Sequence, residues 1–308
     1  MRTLLKISSL ALLCMMAPAP LPAHAQELEP RAYSPLPSGL NFVVLAYSYS
    51  SGNVLADATS PLEGLDAVIH TATLSYLRSF AFAGRSASVS VAAPYLHMTA
   101  SATVDGEFRT GSRTDWADAR ARLTVNVLGA PATPLSEFKS YPQGHTLGVG
   151  LTIGMPTGQY DSSKVINFGA NRWAFKPEVG YSAIHGAWIF EATLGVWLFT
   201  TNNHGFGGTT VRQDPIGSLQ GHVTYNFKRG PWLSLNLNYF TGGRTSVDGQ
   251  ERADLQQNSR SGLTLSLPLG GPHSLKLAVH RGAVTRAGAD FQVGTIAYQF
   301  RFQDSWKK

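Results

Sequence analysis

The sequence predicts an all-β fold, a closed antiparallel transmembrane β-barrel of about twelve strands, within a range of about ten to fourteen. Three observations point there. Only 14% of the 308 residues are charged and 43% are hydrophobic, with 31 Gly and a single Cys. That is a low charge for a soluble domain, where about a quarter of residues carry one. Apolar and polar residues alternate with period 2 over segment after segment, and many of these segments reach about 10 residues, the length of a tilted bilayer crossing. Soluble strands are more often about 5 or 6 residues long. The connections between segments also tend to alternate, one short and the next long, as periplasmic turns and outer loops do in such barrels.

The chain starts with an export signal. Arg2 and Lys6 precede an apolar run from Ile7 to Met16, and Ala23-His24-Ala25 is a small-x-small cleavage site. Cleavage after Ala25 leaves 283 residues with a formal charge of +4 and removes Cys14. The bulky Leu13 beside Cys14 argues against a lipoprotein signal. No apolar run near 20 residues follows the signal, which excludes a helical membrane protein. No Lys/Arg block marks a nucleic-acid surface. Residues 26–39 carry Pro30, Pro35 and Pro37, which disfavour a regular strand. This extension is expected either to plug the lumen or to lie loose in the periplasm.

The barrel is expected over 40–302. Its strands are read at 40–50, 68–80, 87–96, 116–128, 145–156, 173–184, 187–200, 214–227, 232–241, 258–269, 273–281 and 291–302. The clearest is 116–128, where Asp118, Arg120, Arg122, Thr124 and Asn126 fall on one face and Leu123, Val125 and Val127 on the other. A strand separates these sets and a helix mixes them. Short turns fall at Ala83-Gly84-Arg85, His185-Gly186, Lys228-Arg229-Gly230-Pro231 and Gly270-Gly271-Pro272. Two connections break the alternation: 129–144 is long for the periplasmic side and 282–290 short for the outer side. Aromatics such as Trp173, Trp188, Tyr225 and Trp232 cluster near strand ends, as in an aromatic girdle. A tail, 303–308, follows the last strand. Because lipid offers no partner to a strand edge, the first and last strands must pair.

Parity then assigns the lumen. Asp118, Arg120, Arg122, Lys176, Glu178 and Glu191 face inward. They form either a charged constriction or an ion-pair network filling a narrow bore. Gly148, Gly150 and Gly154 leave a smooth stretch of lumen wall. Pro94, Pro177 and Pro268 sit inside strands and should mark bulges or kinks. A kink at Pro177 is the candidate for a sideways exit. Trp197 and Phe291 are candidates to bind solute weakly. Catalysis finds little support. Ser218 and His222 share a face but lie about 13 Å apart along a strand. There is no Gly-x-Ser-x-Gly run and no His or Cys spacing for a metal. No cofactor is implied.

Several motifs lie in order along the chain: Arg31-Ala32-Tyr33-Ser34 with Pro37-Ser38-Gly39-Leu40-Asn41-Phe42, Met155-Pro156-Thr157-Gly158-Gln159-Tyr160-Asp161, Asn167-Phe168-Gly169-Ala170-Asn171-Arg172-Trp173, Gln213-Asp214-Pro215, Gly242-Gly243-Arg244-Thr245 and Gly288-Ala289-Asp290-Phe291. In order and spacing they resemble the meta-pathway of phenol degradation family, a group of outer-membrane transporters, over residues 30–302. The resemblance implies uptake of small hydrophobic or aromatic compounds across the outer membrane of a Gram-negative bacterium. It assigns no catalytic residue. The expectation is a monomeric passive channel, not an enzyme, whose partners are outer-membrane lipid, its solutes and the barrel assembly machinery. The alternatives are a lipid-modifying barrel enzyme and a structural barrel without transport. Tyr298, Phe300 and Phe302 have the alternation of a terminal barrel strand, and Trp306 is a candidate to complete that signal.

Overall fold

The computed structural model describes residues 28–55, 62–104, 107–138, 140, 144–164 and 166–303. The export signal and Trp306 lie outside the described residues. The strands are β1 (Leu40–Leu55), β2 (Leu62–Phe82), β3 (Arg85–Val104), β4 (Glu107–Trp116), β5 (Arg120–Leu128), β6 (His145–Gly154), β7 (Ala174–His185), β8 (Trp188–Phe199), β9 (Val211–Gln213), β10 (Ile216–Asn226), β11 (Trp232–Gly242), β12 (Thr245–Val247), β13 (Gln250–Glu251), β14 (Gln256–Gly270), β15 (His273–Val284) and β16 (Gly288–Gln303). Antiparallel neighbours run around a closed wall of twelve strands, with β4 and β5 counting as one. Closure comes from β1 on β16, registered from Leu40↔Gln303 to Leu55↔Gly288. No sheet edge is left to lipid along this seam.

The alternation fixes which face looks where. In β8, Trp188, Phe190, Leu194, Val196 and Leu198 point outward and are exposed, while Ile189, Glu191, Thr193 and Trp197 point inward and are buried. The same inversion runs around the wall. Leu45, Leu74, Val179, Leu219, Leu235 and Val279 are exposed, while Lys176, Glu178, Gln220, Asn236 and Arg260 are buried. A soluble sandwich would bury the first set. A barrel in lipid exposes it to acyl chains, and moving a charge to that face costs about 2–4 kcal/mol near the midplane. At the turn between β2 and β3, both Ala83 and Gly84 have positive φ, 48° and 74°, the pair that a two-residue hairpin of matching twist requires.

Three sequence expectations change in detail. The segment 116–128 is not one strand: it breaks at residues 117–119, with β4 and β5 both held on β3. Asp118 causes the break by turning its carboxylate to loop backbone, as described below. The segments 51–67 and 97–115, read as loops, are largely strand, because β1 to β4 are longer than the alternation indicated. The loops 201–213 and 242–257 contain a small sheet of β9, β12 and β13.

The three prolines behave differently. Register shifts between Pro268 and Gly270, and Pro94 lies where β4 gives way to β5. Around Pro177 the pairing with β8 lapses and resumes at Glu178↔Gly195 without an offset.

Candidate functional site

The proline-bearing extension runs through the lumen before β1 begins. Arg31 donates its backbone N–H to Glu191 Oε2 at 2.5 Å, and its side chain to Asn226 Oδ1 at 3.3 Å. Its guanidinium lies 5.4 Å from the centre of the Trp232 ring. Glu29 pairs with Lys276 on β15 at 3.1 Å. Tyr33 is 2% exposed and donates to Glu178 Oε1 at 2.9 Å. Further on, Ser86 Oγ donates to the Leu36 carbonyl and Ser79 Oγ to the Pro37 carbonyl. Residues 29–38 thus touch β15, β8, β10, β11, β7, β3 and β2.

Glycines make this path possible. A Cβ on Gly148 would lie 2.3 Å from the Tyr33 ring, and one on Gly180 2.1 Å. The smooth wall read from the glycine series is the seat of that ring. Burial pushes the Tyr33 phenol up, so at neutral pH it stays a donor to Glu178.

The inward-facing charges divide into groups. Arg122 and Lys176 both pair with Glu178, Lys176 at 3.0 Å. The Arg122 guanidinium also lies 5.5 Å from the Tyr33 ring centre. Gly195 lies opposite Glu178, and a Cβ there would lie 2.9 Å from Lys176 Cε. Glu191 is apart from this triad and holds the extension through Arg31 and Ser34. Arg120 is the first residue of β5, opposite Gly154.

Asp118 serves the outer loop. It accepts the N–H groups of Gly158 at 2.9 Å and Ala170 at 2.8 Å, so one carboxylate fastens both ends of the β6–β7 connection. Gly158 and Gly169 lie too close to Asp118 and to each other for any side chain. This explains the glycines in two of the motifs.

The outer mouth has a different lining. Leu65, Ile69, Met98 and Phe291 face inward and form a buried apolar cluster, with Ile166 and Phe168 of the β6–β7 loop packed over it. Arg113 holds that loop by donating to the Ile166 carbonyl at 2.6 Å and Asn167 Oδ1 at 3.0 Å. Across the mouth, Trp197 belongs to a second cluster with Ala174, Ile216 and Phe240. The β15–β16 ladder stops at His280↔Val293. Beyond that point Arg260 reaches the Phe291 carbonyl at 2.6 Å, and Asn258 reaches the Ala287 carbonyl at 2.7 Å. Trp197 and Phe291, both singled out from the sequence, therefore sit in separate clusters.

The sequence-derived catalytic pair does not meet. His222 is bonded through Nδ1 to Asn236 at 2.8 Å, and Ser218 lies two pleat repeats away, level with Gly195 and Phe240. Among the described residues no group of three His, Cys, Asp or Glu is placed to hold a metal ion.

Comparison with known proteins adds the lineage. The family described as "Putative MetA-pathway of phenol degradation" matches residues 48–300. The chain belongs to that family. No curated protein matches it. Among solved structures, this phenol-degradation family barrel is similar to the COG4313 outer membrane channel from Pseudomonas putida F1, with a TM-score of 0.76 at 18% identity, over 90% of this chain and 100% of that one. It is also similar to the beta domain of the Bordetella autotransporter BrkA, with a TM-score of 0.51 at 12% identity, over 87% and 100% of the two chains. At these identities the likeness is one of fold.

The residues that the sequence did not single out in the family barrel are Arg31, Tyr33, Arg113 and Arg172. Tyr33 had a signal of a kind. The glycines at 148, 150 and 180 share one lumen face, and such a bare strip needs something to fill it.

Proposed function

We propose that the protein is a monomeric passive channel of the outer membrane for small hydrophobic or aromatic compounds. The observation that carries this reading is the apolar cluster of Leu65, Ile69, Met98 and Phe291 on the inner face of the outer mouth. Barrel lumens are polar as a rule, and an inward apolar surface at the outer end favours solutes that leave water readily. The extension through the lumen supports the same reading, because it acts as a plug against hydrophilic solutes. The triad of Arg122, Lys176 and Glu178 serves as the seat of that plug more than as a selectivity ring. Phenol degradation in the family's description and the word channel for the Pseudomonas putida structure agree with this reading.

The test is solute flux through the full-length protein refolded in liposomes, comparing small aromatics with sugars of similar size. Aromatic flux above that of protein-free liposomes, without matching sugar flux, is expected. Equal flux of both would make it a general pore. No flux of either, with lipid ester cleavage, would overturn the channel in favour of a barrel enzyme. No flux and no cleavage would leave a structural barrel.

A further inference from the structure

The buried cations of the lumen are not equally satisfied. Arg122 and Lys176 share Glu178. Arg172, immediately before β7, has no such partner among the described residues. It is 7% exposed, its NH2 donates to the neutral side-chain amide of Gln213, and its NH1 is buried with no hydrogen-bond partner among those residues. Its guanidinium carbon lies 4.7 Å from the centre of the Phe199 ring. Phe199 in turn stacks on Trp197, centroids 6.4 Å apart at 11°, and the Lys176 ammonium lies 5.7 Å from the Trp197 centre. Two parallel rings, each faced by a cation, thus stand at the outer end of β7 and β8, with Trp197 buried and Phe199 half-buried toward the mouth. The acid nearest in effect, Asp118, uses its two oxygens on the backbone of Gly158 and Ala170. Burial lowers the Arg172 guanidinium to about 10, which still leaves it charged at neutral pH.

We propose that this cluster binds an aryl carboxylate, with the ring against Phe199 and Trp197 and a carboxylate oxygen accepting from Arg172 NH1. The proposal rests on the channel reading and names the substrate class within it. A buried donor without an acceptor is costly, and an anionic acceptor makes the stronger kind of hydrogen bond. An aromatic face beside a cation also suits a planar ligand. A neutral arene would gain the ring contacts and leave Arg172 NH1 unmet. An aliphatic anion such as acetate would meet Arg172 and leave the rings unused.

Calorimetric titration of the folded full-length protein in detergent micelles reads this without flux. Benzoate should bind saturably, about tenfold or more tighter than benzyl alcohol, the ratio expected for one charge-assisted hydrogen bond, and tighter than acetate, which makes that bond but lacks the ring contact. Arg172→Gln should weaken benzoate about tenfold, and Arg172→Lys less. The exposed turn substitution Arg229→Gln should leave benzoate binding as it was. Equal binding of benzoate and benzyl alcohol would overturn the proposal, as would benzoate binding that survives Arg172→Gln. If Arg172→Gln fails to refold, Phe199→Leu is read instead. It should weaken benzoate and not acetate, and an equal effect on both would overturn the proposal. Neutral aromatic flux in liposomes tests the channel reading by itself, so each claim can fail alone.

Discussion

The middle of the lumen and its outer mouth are built on the same strands by opposite means. In the middle, inward positions are polar or glycine, and the extension is tied to the wall through hydrogen bonds to Glu178 and Glu191. At the mouth, inward positions on β2, β3 and β16 are apolar and pack with Ile166 and Phe168 of a folded-in loop. Both regions obey one parity rule. What differs is the element that closes each: a segment held electrostatically below and a loop held by packing, the Asp118 carboxylate and Arg113 above. Sugars should therefore respond to changes below, and aromatics to changes above.

The largest effect should come from Glu178→Gln. It leaves Arg122 and Lys176 without their carboxylate, and breaking a buried ion pair costs about 3–5 kcal/mol. Arg122 keeps some exposure, so the lower end is expected. Denaturant unfolding in lipid should show the loss, and liposomes should leak sugar. Stability within about 0.5 kcal/mol of the parent would break the claim that the middle is held by charge. Gly180→Val comes next. Its side chain collides with the Tyr33 ring, and overpacking costs about 1–3 kcal/mol. Sugar leakage should rise with aromatic flux little changed. Asp118→Ala acts on the mouth instead. Its two backbone hydrogen bonds are lost, and because a loop can open locally without unfolding the wall, the global loss should be about 1 kcal/mol, while the β6–β7 loop should become more susceptible to added protease and aromatic flux should change before sugar flux. Sugar leakage as large as that of Gly180→Val would erase the distinction between the regions. The smallest effect is Tyr33→Phe, about 1 kcal/mol for one hydrogen bond, seen as a small shift in unfolding midpoint. A loss as large as that of Gly180→Val would mean that the phenol hydrogen bond holds the extension more than the fit of the ring does.

The wall of the barrel was legible because a strand's side-chain period is 2 and lipid reverses which face is apolar. Leu123, Val125 and Asn126 reveal their faces from their neighbours alone. The twelve-strand count followed from the same pattern. The break at Asp118 was not legible. By alternation Asp118 belongs with Arg120 and Arg122, and only the return of the β6–β7 loop, 40 and 52 residues later, supplies the two N–H groups it accepts. The height of β2 and β3 was missed because the faces reverse there: Leu65, Ala67, Ile69, Met98 and Ala100 point inward, and Asp66 and Thr99 point outward.

The site divides the same way. Sequence by itself determined which residues face the lumen, since parity along a strand is local. It assigned Lys176, Glu178, Glu191, Trp197 and Phe291 to the inner face without any knowledge of their partners. Tertiary structure alone decided who meets whom. Glu178 meets Tyr33 across 145 positions of chain and Glu191 meets Arg31 across 160. Such contacts depend on closure of the wall and on the path of an extension that has no period of its own. The strands follow one another around the wall in chain order, but neither their register nor the path of the extension is encoded in local alternation, so the charges could be placed on a face but not paired.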